Sequence, residues 1–162
     1  MTTELLQELG AFLARDPLSV QDVIERIGPA IADPGVPMAI ELRPGIPGIG
    51  AAKLWRYPET GLPYLLRLEP SAGHPLAVCD VAARFGPYDR SLRSREAPPE
   101  IVFGRAIRGD RWSVKLLAEY SAGTLPLEEA PLISFSLRRD PIGEFQLDRP
   151  RPRALKRPGS RS

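Results

Sequence analysis

Residues 17–29 of the chain read Pro17-Leu-Ser-Val-Gln-Asp-Val-Ile-Glu-Arg-Ile-Gly-Pro29, and residues 75–87 repeat this pattern as Pro75-Leu-Ala-Val-Cys-Asp-Val-Ala-Ala-Arg-Phe-Gly-Pro87. Eight of the thirteen positions are identical, at an offset of 58. In each copy apolar residues recur at i, i+3, i+4 and i+7, the spacing of one buried face of a short helix. The Gly-Pro pair predicts the end of each helix, with glycine in the left-handed helical conformation and proline preventing a further turn.

The first copy carries a helix-start signal that the second copy lacks. Ser19 and Asp22 have the spacing of a capping box, in which the hydroxyl and the carboxylate accept hydrogen bonds from free backbone N–H groups. Ala77 and Asp80 are the equivalent residues. Because alanine has no hydroxyl, we expect the second helix to begin less firmly than the first.

The similarity continues beyond the helices and keeps its order along the chain. The matched residues are Pro37, Ile40 and Arg43 with Pro99, Val102 and Arg105; Tyr57, Leu62 and Pro63 with Tyr120, Leu125 and Pro126; and Leu66, Arg67 and Pro70 with Leu137, Arg138 and Pro141. Chance similarities seldom stay in order, so the sequence predicts an internal repeat. Repeat 1 is placed at about residues 17–70 and repeat 2 at about residues 75–141.

Between these anchors apolar and polar residues alternate, as they do in half-buried antiparallel strands. The predicted strands lie near residues 37–43, 52–57, 63–69, 100–107, 112–120 and 131–139. A further helix precedes the repeats, since apolar residues from Leu5 to Leu13 form one stripe that Asp16-Pro17 ends. The sequence therefore predicts a single α+β domain over residues 1–148. It would contain two tandem α-β-β-β repeats and an extra N-terminal helix, giving one antiparallel sheet with helices on one face.

The charge balance differs between the body and the C-terminal end. Of 22 Lys and Arg residues, six lie in the Pro- and Arg-rich residues 149–162, which contain no acid, and this leaves 16 cations against 20 acids elsewhere. We expect residues 149–162 to be a disordered basic tail. The folded body itself has no excess of cations that would favour nucleic-acid binding.

The sequence shows no pattern of export or membrane insertion. The N-terminus lacks the basic and apolar regions of a signal peptide, and no stretch approaches the roughly 18 apolar residues of a membrane span. The single cysteine, Cys79, excludes an internal disulfide. Plentiful arginine, alanine, proline and glycine are typical of GC-rich bacterial coding. We therefore expect a cytoplasmic bacterial protein.

A short helix that ends in Gly-Pro, followed by a small antiparallel sheet and present twice, resembles the tandem architecture of the β-lactamase-inhibitor-protein and BamE-like (SmpA/OmlA) group. The resemblance covers about residues 17–140. It implies a layered fold of the same kind and the binding of another protein, since members of that group commonly bind proteins with the exposed sheet face. The sequence lacks the export signal and the lipidated cysteine of the BamE branch, which argues against an outer-membrane role.

Residues able to perform covalent chemistry are scarce. His74 is the only histidine, and Cys79, five residues later, corresponds to Gln21 of the first copy. We interpret them as a turn histidine and a semi-buried structural cysteine, not as a base and its nucleophile. One histidine and one cysteine do not make a closed zinc site, although scattered carboxylates leave open a Mg²⁺ or Ca²⁺ site.

Two other patterns also have non-catalytic explanations. Gly45 and Gly50 have the spacing of a phosphate-binding loop, but Ala51 occupies the position of the essential lysine. Asp22 and Asp80 are equivalent in the two copies, and helix capping explains both. We therefore predict no enzyme activity and no cofactor.

The sheet face away from the helices is the predicted binding site. The residues assigned to bind a partner are Arg43, Arg56, Arg67, Phe103, Arg105, Lys115, Leu117 and Arg138; Leu54 and Leu65 are assigned to the same face, and Trp55 and Trp112 to the core. Arginine mixed with leucine and phenylalanine is typical of protein-binding surfaces, where guanidinium groups pair with carboxylates and apolar neighbours exclude water. The alternative interpretation is a sheet face that is simply solvated.

The functional hypothesis is a non-catalytic protein-binding module, such as an inhibitor, an immunity-type protein or an adaptor, that binds an acidic surface of another protein. A homodimer formed through the same face is an alternative and would make the chain a structural subunit. A further alternative is binding of nucleic acid or another anionic surface through the basic tail, with affinity falling steeply as salt increases. No membrane partner is expected.

Overall fold

The computed structural model describes residues 1–91 and 96–143. The helices are α1 (Thr3–Leu13), α2 (Val20–Ile27) and α3 (Val78–Phe85). The strands are β1 (Ala30–Ala32), β2 (Ile40–Leu42), β3 (Ile49–Arg56), β4 (Pro63–Pro70), β5 (Tyr88–Arg90), β6 (Glu100–Phe103), β7 (Ile107–Arg108), β8 (Trp112–Tyr120) and β9 (Leu132–Pro141). The predicted basic tail, residues 149–162, lies outside the described residues.

The strands form one antiparallel sheet in the order β1-β2-β3-β4-β9-β8-β6-β5, with β7 paired to β8. The first half of the chain supplies β1 to β4 and the second half supplies β5 to β9, so the halves meet where β4 pairs with β9. At this junction Leu66 lies directly opposite Leu137, and both are fully buried. The predicted α+β class with a single antiparallel sheet is confirmed.

The helices pack against one face of the sheet, with α1 contacting β7, β8 and β9 as well as α3. Each helix buries its predicted apolar stripe in a single core shared with alternate strand residues. The fully buried stripe residues are Leu6, Leu9 and Leu13 in α1, Val23 and Ile27 in α2, and Val78, Val81 and Phe85 in α3. Burial of such apolar surface, at about 25 cal/mol per Å², is the main stabilising contribution to this arrangement.

Three short strands of two or three residues, β1, β5 and β7, are not predicted as separate strands from the sequence. β2, which is equally short, lies within the predicted strand of residues 37–43. β1 begins directly after Pro29 and β5 directly after Pro87. Each Gly-Pro pair therefore leads its helix straight into an outermost strand of the sheet. The order of elements is alike in the two halves, while the internal duplication itself stays a prediction.

Gly28 and Gly86 both have positive φ, at 151° and 78°, but their ψ values of 166° and −168° are extended. The predicted left-handed helical conformation is therefore wrong. The chain leaves each helix into a neighbouring strand and does not close a further turn. A Cβ atom on Gly28 would collide with the carbonyl oxygen of Arg43, so this close approach of helix end and sheet requires glycine.

The predicted capping box of α2 is confirmed. The Ser19 hydroxyl accepts a hydrogen bond from the Asp22 N–H at 3.1 Å, and the Asp22 carboxylate accepts one from the Ser19 N–H at 2.8 Å. This backbone N–H holds the pKa of Asp22 below its ordinary value. At the start of α3 the Asp80 carboxylate accepts from the Ala77 N–H at 2.8 Å, and no side-chain oxygen is present to complete the box.

The predicted facing of β3 is wrong. Leu54, assigned to the face away from the helices, is fully buried in the core, whereas Trp55, assigned to the core, pairs with Leu65 on the opposite face. A register irregularity lies between Trp55 and Arg56. The extra residue of this bulge is Tyr64 on β4, so the alternation of β3 itself is not interrupted. Tyr57, which was assumed to point to the core, lies beyond the end of β3, so counting back from it assigns the wrong face.

Phe103 is also misassigned, since it is fully buried in the core and contacts Phe85 and Tyr88. The strand that contains it, β6, ends at Phe103 instead of continuing to residue 107. Beyond that point the backbone turns toward α3, where the Arg105 N–H donates to the Phe85 carbonyl at 2.8 Å. Alternation counted through Arg105 therefore gives no information about Phe103.

Candidate protein-binding face

The open face is the surface of the sheet that the helices do not cover. Strand register arranges its side chains in rows that cross β3, β4, β9 and β8. The Trp55 row consists of Trp55, Leu65, Arg138 and Lys115, and the Arg67 row consists of Lys53, Arg67, Ser136 and Leu117. Neighbouring strands lie about 4.8 Å apart, so each row spans about 15 Å across the centre of the sheet.

Arg67 is the best anchored cation of the open face. Its Nη1 donates to Glu119 Oε1 at 2.9 Å, and its Nη2 lies 3.8 Å from Glu69 Oε1. The Glu119 side chain is only 5% exposed, so the guanidinium group lies against a largely buried carboxylate. This contact reaches from β4 to β8 and connects the two halves of the sheet.

Arg138 is engaged less completely. Its Nε donates to Asp140 Oδ2 at 3.0 Å, and its side chain is 43% exposed. Its Nη1 and Nη2 donate no hydrogen bond to any residue in the described ranges. Lys115, directly opposite on β8, is exposed and forms no salt bridge within those ranges. Among the described residues, this pair therefore has donors that no carboxylate occupies.

Two pairs of cations stand directly opposite one another on the open face, Lys53 with Arg67 and Lys115 with Arg138. Like charges in this position destabilise a sheet. Both cations of the first pair have carboxylate partners. In the second pair only Arg138 has one among the described residues, so positive charge is least compensated at this point of the face.

The structure thus brings together three of the predicted binding residues, Arg67, Lys115 and Arg138, on adjacent rows of one exposed surface. Leu117 lies on the same face but is buried, so it offers little surface to a partner. Trp55 and Leu65 are the apolar members of the Trp55 row, and each is partly exposed.

The other predicted binding residues lie outside the two central rows. Arg43 is exposed in the loop after β2, and Phe103 is in the core. Arg105 donates from Nη1 to the Arg84 carbonyl at 3.0 Å, at the C-terminal end of α3, where the helix dipole favours a cation. Both terminal nitrogens of Arg56 bind the Asp33 carboxylate, at 2.8 and 3.1 Å. Phe103 was therefore wrongly assigned to the open face, and Arg105 lies against the end of α3. The assignment of Arg43 and Arg56 to the binding surface stays a prediction.

A cleft of about 500 Å³ opens beside Trp55, between the sheet and the connection from β1 to β2. It is lined by Trp55, Met38, Pro37, Lys53 and Glu41, among others. Sequence reasoning missed this feature because Trp55 was assigned to the core and the connection has neither helical nor strand periodicity. The available signal was Val36 and Met38, two apolar residues in a Pro- and Gly-rich connection.

The ion pair between Arg56 and Asp33 holds this connection against the end of β3. Asp33 also accepts a hydrogen bond from the Gly35 N–H at 3.0 Å. Hydrogen bonding from Arg56, and then from Gly35, lowers the pKa of Asp33 below its ordinary value. The wall of the cleft therefore depends on an ionised carboxylate.

Residues suited to catalysis or metal binding are dispersed. No group of three or more His, Cys, Asp or Glu side chains within residues 1–91 and 96–143 is placed to hold a metal ion. Cys79 is exposed on α3, so the expectation of a semi-buried cysteine is wrong. The helix turns its stripe of Val78 and Val81 inward and leaves Cys79 outside.

No helix within residues 1–91 and 96–143 has the length and apolarity needed to cross a membrane.

Comparison of the chain with protein-family models, with curated proteins and with solved structures gave no match.

Proposed function

We propose that this protein is a non-catalytic protein-binding module whose open face binds an acidic surface of another protein. The observation that carries the proposal is the pair formed by Arg138 and Lys115. The terminal nitrogens of Arg138 donate no hydrogen bond among the described residues. Lys115 is exposed, the Arg138 side chain is 43% exposed, and the two stand directly opposite each other. A carboxylate between them would accept charge-assisted hydrogen bonds from both and relieve their repulsion.

The neighbours of this pair favour a protein partner over a small anion. Leu65 and Trp55 continue the same row toward β3. Tryptophan and arginine are the residue types that most often dominate binding energy at protein interfaces, where apolar neighbours exclude water from the charged contact. A free phosphate or sulfate would use the cations and leave the apolar half of the row without a role.

The scaffold suits a rigid binding surface. The cations project from the central strands of a sheet fixed by Leu66 and Leu137, so little backbone conformational entropy is lost when a partner binds. An inhibitor, an immunity-type protein or an adaptor needs such a surface. The resemblance to the β-lactamase-inhibitor-protein and BamE-like group supports the same function.

The experiment compares affinity capture by the wild-type chain and by the charge-reversal variants Arg138→Glu and Lys115→Glu, after crosslinking in a lysate of the native host. Arg84→Glu is the matched control, because Arg84 is 40% exposed and forms one ion pair of 3.1 Å, on the helical side. We expect a specific acidic partner to be lost from both open-face variants and retained by the control. Identical partners for all four chains would refute the proposal.

The same samples test the alternatives. Solution mass measured by light scattering identifies self-association, which would appear as an oligomer that Arg138→Glu dissociates. Deletion of residues 149–162 tests binding of an anion through the basic tail, since a partner lost on that deletion alone, with a steep salt dependence, would assign binding to the tail.

A further inference from the structure

We infer that the cleft beside Trp55 receives an apolar side chain of the acidic partner, and that the partner presents this side chain and a carboxylate about four residues apart on an extended segment. The inference depends on the proposed function for the carboxylate contact and adds the second contact and the spacing between them.

Exposed apolar side chains are concentrated at this end of the sheet. Of the five large hydrophobic residues with high exposure in the described part of the chain, three lie between residues 31 and 38: Ile31, Val36 and Met38. Met38 is the most exposed, at 60%, and lines the cleft. Clustered exposed apolar surface next to polar residues is characteristic of an interaction site.

The cleft is already formed in the free protein. The two hydrogen bonds between Arg56 and Asp33 fix the start of the connection, and the Met38 N–H donates to the Gly35 carbonyl at 2.9 Å and closes a turn. Trp55 lines the opposite side from within β3. A pocket whose walls are fixed before binding loses little entropy when an anchor side chain enters.

The cleft is continuous with the cationic pair. Trp55 lies in the same row as Arg138 and Lys115, two and three strands away, which corresponds to about 10 and 14 Å. In an extended segment, residues i and i+4 point the same way and lie about 13 Å apart. A segment that crosses the strands would therefore place an apolar residue in the cleft while a carboxylate four residues away reaches Arg138 and Lys115.

The probe is a phage-displayed library of random dodecapeptides, selected on the immobilised full chain and depleted on the triple variant Trp55→Ala, Lys115→Glu, Arg138→Glu. We expect enriched peptides to carry an aromatic or long aliphatic residue with Asp or Glu four positions away. Peptide affinity, measured by fluorescence polarisation, should fall about tenfold or more in Met38→Asp and in Trp55→Ala. Leu125→Asp is the matched control, since Leu125 is 55% exposed and lies outside the cleft.

The outcomes separate this inference from the proposed function. Acidic peptides that lose affinity for Arg138→Glu but bind Met38→Asp and Trp55→Ala normally would overturn the cleft inference and leave the proposed function standing. Peptides that need the cleft and ignore Arg138→Glu would overturn the proposed function, and the paired spacing with it. The inference also fails if no peptide is enriched over the triple variant, provided that circular dichroism shows that the variants are folded.

Discussion

The guanidinium carbon of Arg139 lies 3.6 Å from the centre of the Trp112 ring. Although Arg139 is adjacent to the exposed Arg138, it points into the opposite face of the sheet and is 1% exposed. Its nitrogens donate to the carbonyls of Leu13 at 2.7 Å and Arg15 at 2.8 Å, at the C-terminal end of α1. Burial lowers the pKa of this guanidinium group, and the nearby Asp16 opposes that effect. Arg139 thus fastens the N-terminal helix to the central strand of the second half.

Replacement of Arg139 by Met should lower the free energy of unfolding by about 3 kcal/mol, because buried helix carbonyls would lose their donors. Arg139→Lys should cost less but remain destabilising, since an ammonium group reaches fewer carbonyls and does not stack on Trp112. The control is Arg138→Met, one residue away on the open face, for which we expect a change of at most about 1 kcal/mol. Urea denaturation of the three variants measures the difference, and equal effects of Arg138→Met and Arg139→Met would contradict the role of Arg139.

Sequence reasoning missed Arg139 for a physical reason. Alternation along β9 places Arg139 in phase with the buried Phe135 and Leu137. An arginine at such a position is normally taken as the end of the buried stretch, because an unpaired buried charge is too costly. Here the end of α1 supplies carbonyl acceptors, and α1 is more than 120 residues away in sequence. No local pattern encodes that contact.

Features of the fold that depend on local sequence patterns could be predicted, whereas those that depend on long-range contacts could not. Six of the strands and the capped helix α2 follow from patterns within single segments, and Leu66 and Leu137 were assigned correctly to the core. β3 ends at Arg56 and β6 ends at Phe103, both before their predicted ends and without a sequence signal. Counting from residues beyond these ends moved Trp55, Leu54 and Phe103 to the wrong face. The cleft was missed because Trp55, which lines it, had been assigned to the core.

The missing cap of α3 can be restored. Ala77 has the extended backbone of an N-cap residue, at φ −88° and ψ 161°, similar to Ser19 in α2. Ala77→Ser should therefore raise the free energy of unfolding by about 1 kcal/mol, and Ser19→Ala should lower it by a similar amount. Thermal and urea unfolding of the two variants and the double variant measure both effects. A destabilising Ala77→Ser would show that the starts of the two helices are not equivalent.

Asp33 should make stability depend on pH in the acidic range. Its pKa in the folded protein lies below the ordinary value of 3.8 because Arg56 and Gly35 bind the ionised form. A lowered folded-state pKa means that the stabilisation is complete above pH 3.8 and is lost as pH falls through the folded-state pKa. Asp33→Asn should therefore be less stable than wild type at pH 7, with a difference that shrinks below the ordinary pKa.

A variant of Arg56, the partner of Asp33, serves as the control. Arg56→Gln should show the same loss at pH 7, and the double variant should lose little more than either single variant, since both remove one interaction. Denaturant titrations at pH 7 and at acidic pH supply the comparison. Fully additive losses would mean that Asp33 and Arg56 act independently of each other.

The junction between the halves should couple Leu66 and Leu137 energetically. Leu66 and Leu137 are opposite each other and fully buried, so each substitution by Ala should cost about 3 kcal/mol, within the usual range of 2 to 5 kcal/mol for such truncations. Because the two side chains lie opposite each other, the losses from Leu66→Ala and Leu137→Ala should deviate from additivity by about 0.5 kcal/mol or more in the double variant.

The control is a distant residue. Ile101 is buried on β6, three strands from Leu66 in the sheet order. Ile101→Val combined with Leu66→Ala should therefore be additive within about 0.5 kcal/mol. Additivity of the junction pair in urea unfolding, equal to that of the distant pair, would show that the two halves of the core are energetically independent.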